Sequence, residues 1–162
     1  MEKHELVDIN GNKTGMVLTH IEARNFDNVP DKCYLSAVGV VIINDKNEIL
    51  LQKRSRFKRV NPSKWGICGG KADLGETTEE TGIRETFEEI GVILNKDELK
   101  FLSMATEGKI HFTVYYVRKN VDIAECKLQQ EEVEEVKYFK VEELQNLDHE
   151  GFEWLDNLKK II

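Results

Sequence analysis

The chain has 162 residues, 40% of them hydrophobic and 33% charged, enough for one domain with a buried core, and residues 1–162 are read as a single unit. Its formal net charge of −7 speaks against non-specific binding to nucleic acid or to an anionic membrane, and no apolar run approaches the about 20 residues that span a bilayer. Cys33, Cys68 and Cys126 lie far apart with no C-x-x-C spacing, and the start MEKHELVDIN lacks the apolar core of a secretion signal, so the expected location is a reducing cytoplasm.

In chain order, ELVDINGNKTGMVLTH reads as an N-terminal hairpin turning at Asn10-Gly11. The loop IEARNFDNVPDK leads to CYLSAVGVVII, a β-branched run suited to a strand buried on both faces. NDKNE turns the chain into a partner strand, EILLQKRS. A basic loop, KRSRFKRVNPSK, and a short extended piece, WGICGG, come next. The clearest helix runs from about 77 to 90. Strands are predicted at ELKFLSMATE and IHFTVYYVRK, then an acidic stretch, LQQEEVEEV, before a strand KYFKV. VEELQNL and GFEWLDNLKKII read as helical. Strands, one central helix, further strands and a terminal helix predict a mixed central sheet between helices, an α/β/α sandwich with an added N-terminal hairpin. The four histidines, His4, His20, His111 and His149, are as scattered as the cysteines, and the spacing gives no His-based metal site or Ser-His-Asp triad.

The central helix is well marked. Thr77 and Glu80 form a T-x-x-E capping box, Gly91 stops the helix, and Ile83, Phe87 and Ile90 form the apolar stripe expected to face the core. Gly82 in mid-helix implies close backbone packing. Glu85, Glu88 and Glu89 fall off that stripe, at i, i+3 and i+4, so all three face one point above the helix, with Arg84 one turn from Glu88. A bare cluster of this kind is either a solvated face or a cation site, and hard cations such as Mg2+ favour such oxygen donors together with substrate phosphates.

The preceding chain, GICGGKADLGE, allows a tight loop at Gly69-Gly70 and Gly75. Gly70, five residues, Glu76, seven residues, then Arg84-Glu85-x-x-Glu88-Glu89-x-Gly91-Val92 resembles the Nudix box. The one departure is Thr86, where that family usually has an aliphatic residue, a change expected to alter the seat of the helix rather than the chemistry. VVIINDKNEILLQKRS and EEVEEVKYFKVEEL are also Nudix-like. The resemblance implies an α/β/α sandwich that hydrolyses a diphosphate linkage in a nucleotide or nucleoside diphosphate derivative, using Mg2+ or Mn2+. It implies Glu88 and Glu89 as metal ligands, Glu85 as a further ligand or as the base, Gly69 as the donor of a backbone carbonyl, and Arg84 and Glu76 as the groups that hold the carboxylates. A bound cation supplies the countercharge that the crowded glutamates lack.

Two softer candidates stand outside the box. The basic loop, Arg54 above all, is either solvated or steers phosphate, and the acidic run is either solvated or lends a ligand or base through Glu132. Trp65 and Trp154 read as core rather than as base-stacking platforms. A homodimer fits the resemblance, although nothing in the chain marks an interface. Two rivals to hydrolysis are weighed: a Nudix fold that senses a nucleotide without turnover, and an isopentenyl diphosphate isomerase, whose branch the opening Asp8-x-Asn10-Gly11-x-x-Thr14-Gly15 resembles. The sensor would be expected to lose the box glutamates, which are all present. The isomerase positions for Cys and His fall on Gly69, Lys71 and Leu35.

Overall fold

The computed structural model describes residues 2–162. Strand β3, Leu35–Ile43, is its axis, and its buried run of β-branched residues is flanked on both sides. One edge pairs in parallel with β8, Ile110–Arg118, from Leu35↔Ile110 to Ile43↔Arg118. The other edge is divided: Ala37 to Val40 pair with β6, Cys68–Lys71, while Ile42 and Ile43 pair with β4, Ile49–Arg54. Beyond that point the same edge of β4 takes the short β5, Trp65–Gly66, while its other edge pairs along its whole length with β9, Val133–Phe139. Strand β7, Lys100–Glu107, completes the far side as a hairpin with β8.

Side-chain alternation along β3 then assigns the two faces. Val40 and Ile42 join Leu50, Cys68, Ile90, Val117 and Val136 beneath helix α2, Thr78–Ile90. Val41 and Ile43 join Ile49, Leu51, Val114, Phe139, Trp154 and Leu158 beneath the C-terminal segment, which ends in α3, Leu155–Lys159. The mixed sheet therefore lies between helices, as the sequence pattern predicts, and Trp154 and Trp65 both pack in the second layer.

Several expectations need correction. Phe87 is 54% exposed, and the buried face of α2 is instead Thr81, Gly82, Thr86, Glu89 and Ile90. The cause is Gly82: a Cβ there would lie 2.9 Å from Val40 Cγ2, so the helix seats its backbone on the sheet at that point and fixes which neighbours turn inward. The last strand begins at Val133, within the acidic stretch, where a register shift opposite Lys53 and Arg54 leaves both Glu134 and Glu135 exposed while Val133 and Val136 are buried. Residues Val141–Asn146 form a 3-10 turn, and the terminal helix is only five residues long.

The N-terminal hairpin is present as β1, Lys3–Val7, and β2, Lys13–Thr19, with Gly11 at a φ of 83°. A short helix, α1, His20–Ala23, follows. Leu6, Ala23, Val29 and Leu35 form a small core of their own. The hairpin is bound to the body by paired Val7–Tyr34 backbone hydrogen bonds of 2.9 and 2.8 Å and by the Leu74 N–H donating to the Lys3 carbonyl at 2.8 Å. The same register brings two of the scattered histidines together, His4 Nε2 lying 2.9 Å from His20 Nδ1 across 16 residues of sequence. Among the described residues no helix is long and apolar enough to cross a membrane.

Candidate active site

Helix α2 begins and ends as its sequence dictates. The Thr77 side chain accepts from the Glu80 N–H, Glu80 answers at the Thr77 N–H, and Gly91 closes the helix in the left-handed region at a φ of 76°. This fixes the rotation of the helix and so the direction of its carboxylates. Glu89 is 4% exposed and Glu85 is largely buried, while the Glu88 side chain keeps 46% of its surface open to solvent. The three form a graded wall from protein interior to water.

Strand β6 faces this wall. The Gly69 N–H donates to Glu89 Oε1 at 2.9 Å, so it points away from β3, and in an antiparallel ladder the carbonyl of the same residue takes that edge too. At Gly70 an added Cβ would lie 2.5 Å from the Glu85 carboxyl carbon. Glycine is required there because the carboxylate occupies the space a side chain would fill.

Arg84 organises the acidic groups. Its Nε and Nη2 hold Glu76 in a fork at 2.6 and 3.0 Å, its Nη1 reaches Glu85 at 2.9 Å and Glu88 at 3.2 Å, and Nη2 also donates to the Lys71 carbonyl at 3.2 Å. Asp73 lies 3.5 Å from the same guanidinium, and its N–H donates to Glu76. The Glu76 hydrogen bonds lead a set of carboxylate contacts that hold Arg84 firmly protonated. Burial works against the Glu76 anion, but Arg84, the Asp73 N–H and the Thr81 hydroxyl hold its carboxyl below the usual range.

One arginine does not neutralise the remaining carboxylates. Burial pushes Glu85 up to about 7, with Arg84 opposing and Glu88 and Glu132 adding to the rise. Burial again, and then the Glu85 charge, push Glu89 up to about 8 against the Gly69 N–H. The donor set is all oxygen, one member is open to solvent, and a strand of glycines gives access, which fits a hard divalent cation.

The structure also locates the softer candidates. Glu132, on the turn before β9, pairs with Lys58 of the basic loop, and its charge is felt at both Glu85 and Glu89. Its turn is fastened to the end of α2 by the Gln129 N–H donating to the Glu89 carbonyl at 3.0 Å. Arg54 is turned elsewhere, its Nε donating to the Val60 carbonyl at 3.0 Å and its Nη1 standing 3.8 Å from Glu150. Burial, and then the charges of Arg59, Arg24 and Lys58, depress the Lys71 ammonium at the end of β6. Gln52 is a site neighbour the sequence reading missed: buried on β4, it accepts from Cys68 Sγ at 3.1 Å and bonds the Glu89 carboxyl. Its position two residues after Leu50 on an alternating strand was the available signal.

Comparisons with known proteins give the family and the fold. Residues 34–158 match the NUDIX domain family. A Nudix hydrolase of Listeria monocytogenes is 32% identical over 154 residues, 93% of this chain and 87% of that protein. Among solved structures, a Deinococcus radiodurans protein superposes with a TM-score of 0.74 at 19% identity, covering 99% of this chain and 100% of that one. The NUDIX domain of Shewanella oneidensis NrtR, solved with ADP ribose, superposes at 0.61 with 22% identity over 86% of this chain and 94% of that one.

Proposed function

The chain belongs to the Nudix hydrolase family, and on that premise we propose that it cleaves a diphosphate linkage in a nucleotide or nucleoside diphosphate derivative with the aid of Mg2+ or Mn2+. The observation that carries the metal requirement is the set Glu85, Glu88 and Glu89 against Gly69 and Gly70: Glu85 and Glu88 share the Arg84 guanidinium, and buried Glu89 has only the Gly69 N–H and Gln52. Bound there, a divalent cation supplies charge for the diphosphate and acidity for a water molecule. Glu88 and Glu89 are assigned as ligands, Glu85 as a further ligand or the base, and Gly69 as the carbonyl donor. Arg84 and Glu76 position Glu85 and Glu88.

In hydrolysis the oxygen of water bonds to one phosphorus as the bridging P–O bond breaks, the departing phosphate oxygen keeps that electron pair, and the attacking water loses a proton. Glu85 and Glu132 are the carboxylates available to receive it, and Lys58 holds Glu132 in place. The basic side chains near β6 give the phosphates a counterpart, whereas Arg54, tied to Glu150, contributes to substrate only if that pair opens. A nucleoside diphosphate derivative as substrate is favoured by the ADP ribose in the related domain. The cytoplasm and a small-molecule substrate complete the proposal, with the whole chain acting as one unit.

The decisive experiment is a phosphate-release screen with Mg2+ over nucleoside triphosphates, nucleoside diphosphates, nucleotide sugars, ADP-ribose and dinucleoside polyphosphates, with Glu88→Gln in parallel. Because Glu88 is half open to solvent and contacts only Arg84, the variant keeps its fold, and release is expected to fall by about a hundredfold or more. Turnover that survives both chelation and Glu88→Gln would remove the metal from the proposal. A folded, metal-binding protein that releases nothing from any compound would favour the sensing module.

A further inference from the structure

We propose that Glu2, His4 and His20 form a second metal site, for a divalent transition ion of the zinc type, distinct from the glutamate cluster of α2. It is independent of the hydrolase reading. The family match begins at residue 34, so all three ligands lie outside it.

Hairpin geometry brings the groups together. Glu2, just before β1, and His4, two residues on, share a face, while the His20 N–H donates to the Glu2 carbonyl at 2.9 Å and sets His20 opposite Glu2 on that face. One donor atom from each lies within 4.8 Å of the others. His4 Nε2 is 2.9 Å from His20 Nδ1, and His20 Nδ1 is 3.4 Å from Glu2 Oε2. Ligands about 2.0–2.1 Å from a tetrahedral zinc stand roughly 3.3 Å from one another. The observed spacings bracket that edge, so an ion enters with a small separation of the two rings.

The outer contacts are also those of a ligand. His4 is 2% exposed, and its Nδ1 lies 2.7 Å from the Ala72 carbonyl. An Nδ1–H held in this way leaves Nε2 as the lone-pair nitrogen and fixes the ring plane, the usual support of a metal-binding imidazole. With the lone pair on His4 Nε2, the 2.9 Å contact places the hydrogen on His20 Nδ1, so the ion would take that hydrogen's place and His20 would bind as its Nε2–H tautomer. Two imidazoles and one carboxylate select zinc-like ions over Mg2+. Ala72 lies between Gly70 and Asp73, so the ion would fasten the hairpin to the segment that shapes the glutamate site.

The test is calorimetric titration of the full-length protein with Zn2+ in millimolar Mg2+, alongside Co2+ absorption spectra. One equivalent of Zn2+ is expected. Its dissociation constant should rise at least about tenfold in His20→Ala and in Glu2→Ala, both partly exposed and so tolerant of change, and stay unaltered in Glu88→Gln. The Co2+ bands of a four- or five-coordinate site should vanish in His20→Ala. Equal Zn2+ binding by wild type and His20→Ala, loss of it in Glu88→Gln instead, or no Zn2+ binding at all would each overturn the proposal.

Discussion

Glu85 and Glu89 carry the strongest conflict in the molecule, because each is taken out of water beside the other. Their carboxyls titrate as a pair, at about 7 and about 8, in place of the ordinary value near 4.5. A raised folded-state value means that their contribution to stability is complete below about 4.5 and is lost as the pH climbs through 7 and 8. Metal-free protein should therefore lose stability from these two groups across that window, and a divalent cation should restore more of it at pH 8.5 than at pH 6. Cation uptake should also release protons at pH 6 and few at pH 9. Calorimetry in two buffers of different ionisation enthalpy measures this directly, and heats that do not depend on buffer at pH 6 would contradict it. Thr86 is the second residue under strain: 0% exposed, with its hydroxyl lacking any hydrogen-bond partner. Thr86→Val keeps the shape and removes the unsatisfied group, so it should stabilise by about 1 kcal/mol, or about 2–4 °C in Tm, with turnover unchanged. An unchanged or lower Tm would show that the hydroxyl is satisfied in solution.

At the scale of elements, the paired glycines of β6 make different demands. A Cβ on Gly69 would meet the Val38 carbonyl of β3 at 2.1 Å, whereas one on Gly70 would meet only the end of the Glu85 side chain. Backbone cannot yield and a carboxylate can. Gly69→Ala should therefore lower Tm, while Gly70→Ala should leave Tm nearly intact and displace Glu85, cutting kcat by about tenfold or more. Equal thermal losses in the two variants would refute this division. The boundaries of α2 were legible because caps are local chemistry: Thr77, Glu80 and Gly91 each do what their residue types predict. Its rotation was not. Ile83, Phe87 and Ile90 suggest one stripe, but the close approach at Gly82 brings in Thr86 and Glu89, both polar and both buried. The strand from Val133 was hidden for a similar reason, since Glu134 and Glu135, both exposed at the register shift, obscure the buried Val133 and Val136.

For the whole molecule, the layers follow from alternation on β3, and that much was readable in the β-branched run. What pairwise reading missed was non-local. Scattered histidines meet because a hairpin register aligns them, and Arg54 faces Glu150 because the C-terminal segment crosses to it. The hairpin matters most for the site, since the Lys3 carbonyl accepts from Leu74, in the segment between Gly70 and Glu76. Leu6 anchors the small core shared by the hairpin and the start of β3, and it is fully buried. Leu6→Ala should cost about 2–5 kcal/mol locally. Opening should be confined to the hairpin and whatever it clamps, because the cores on either side of the main sheet do not include Leu6. Hydrogen exchange should then accelerate in β1, β2 and residues 72–76 together, while amides of β3 and β8 beyond Val38 keep their protection. Fast exchange in the hairpin with residues 72–76 unchanged would mean that the glutamate site holds its shape without the hairpin. The shared response is expected because the Leu74 N–H and the Ala72 carbonyl have their partners on β1.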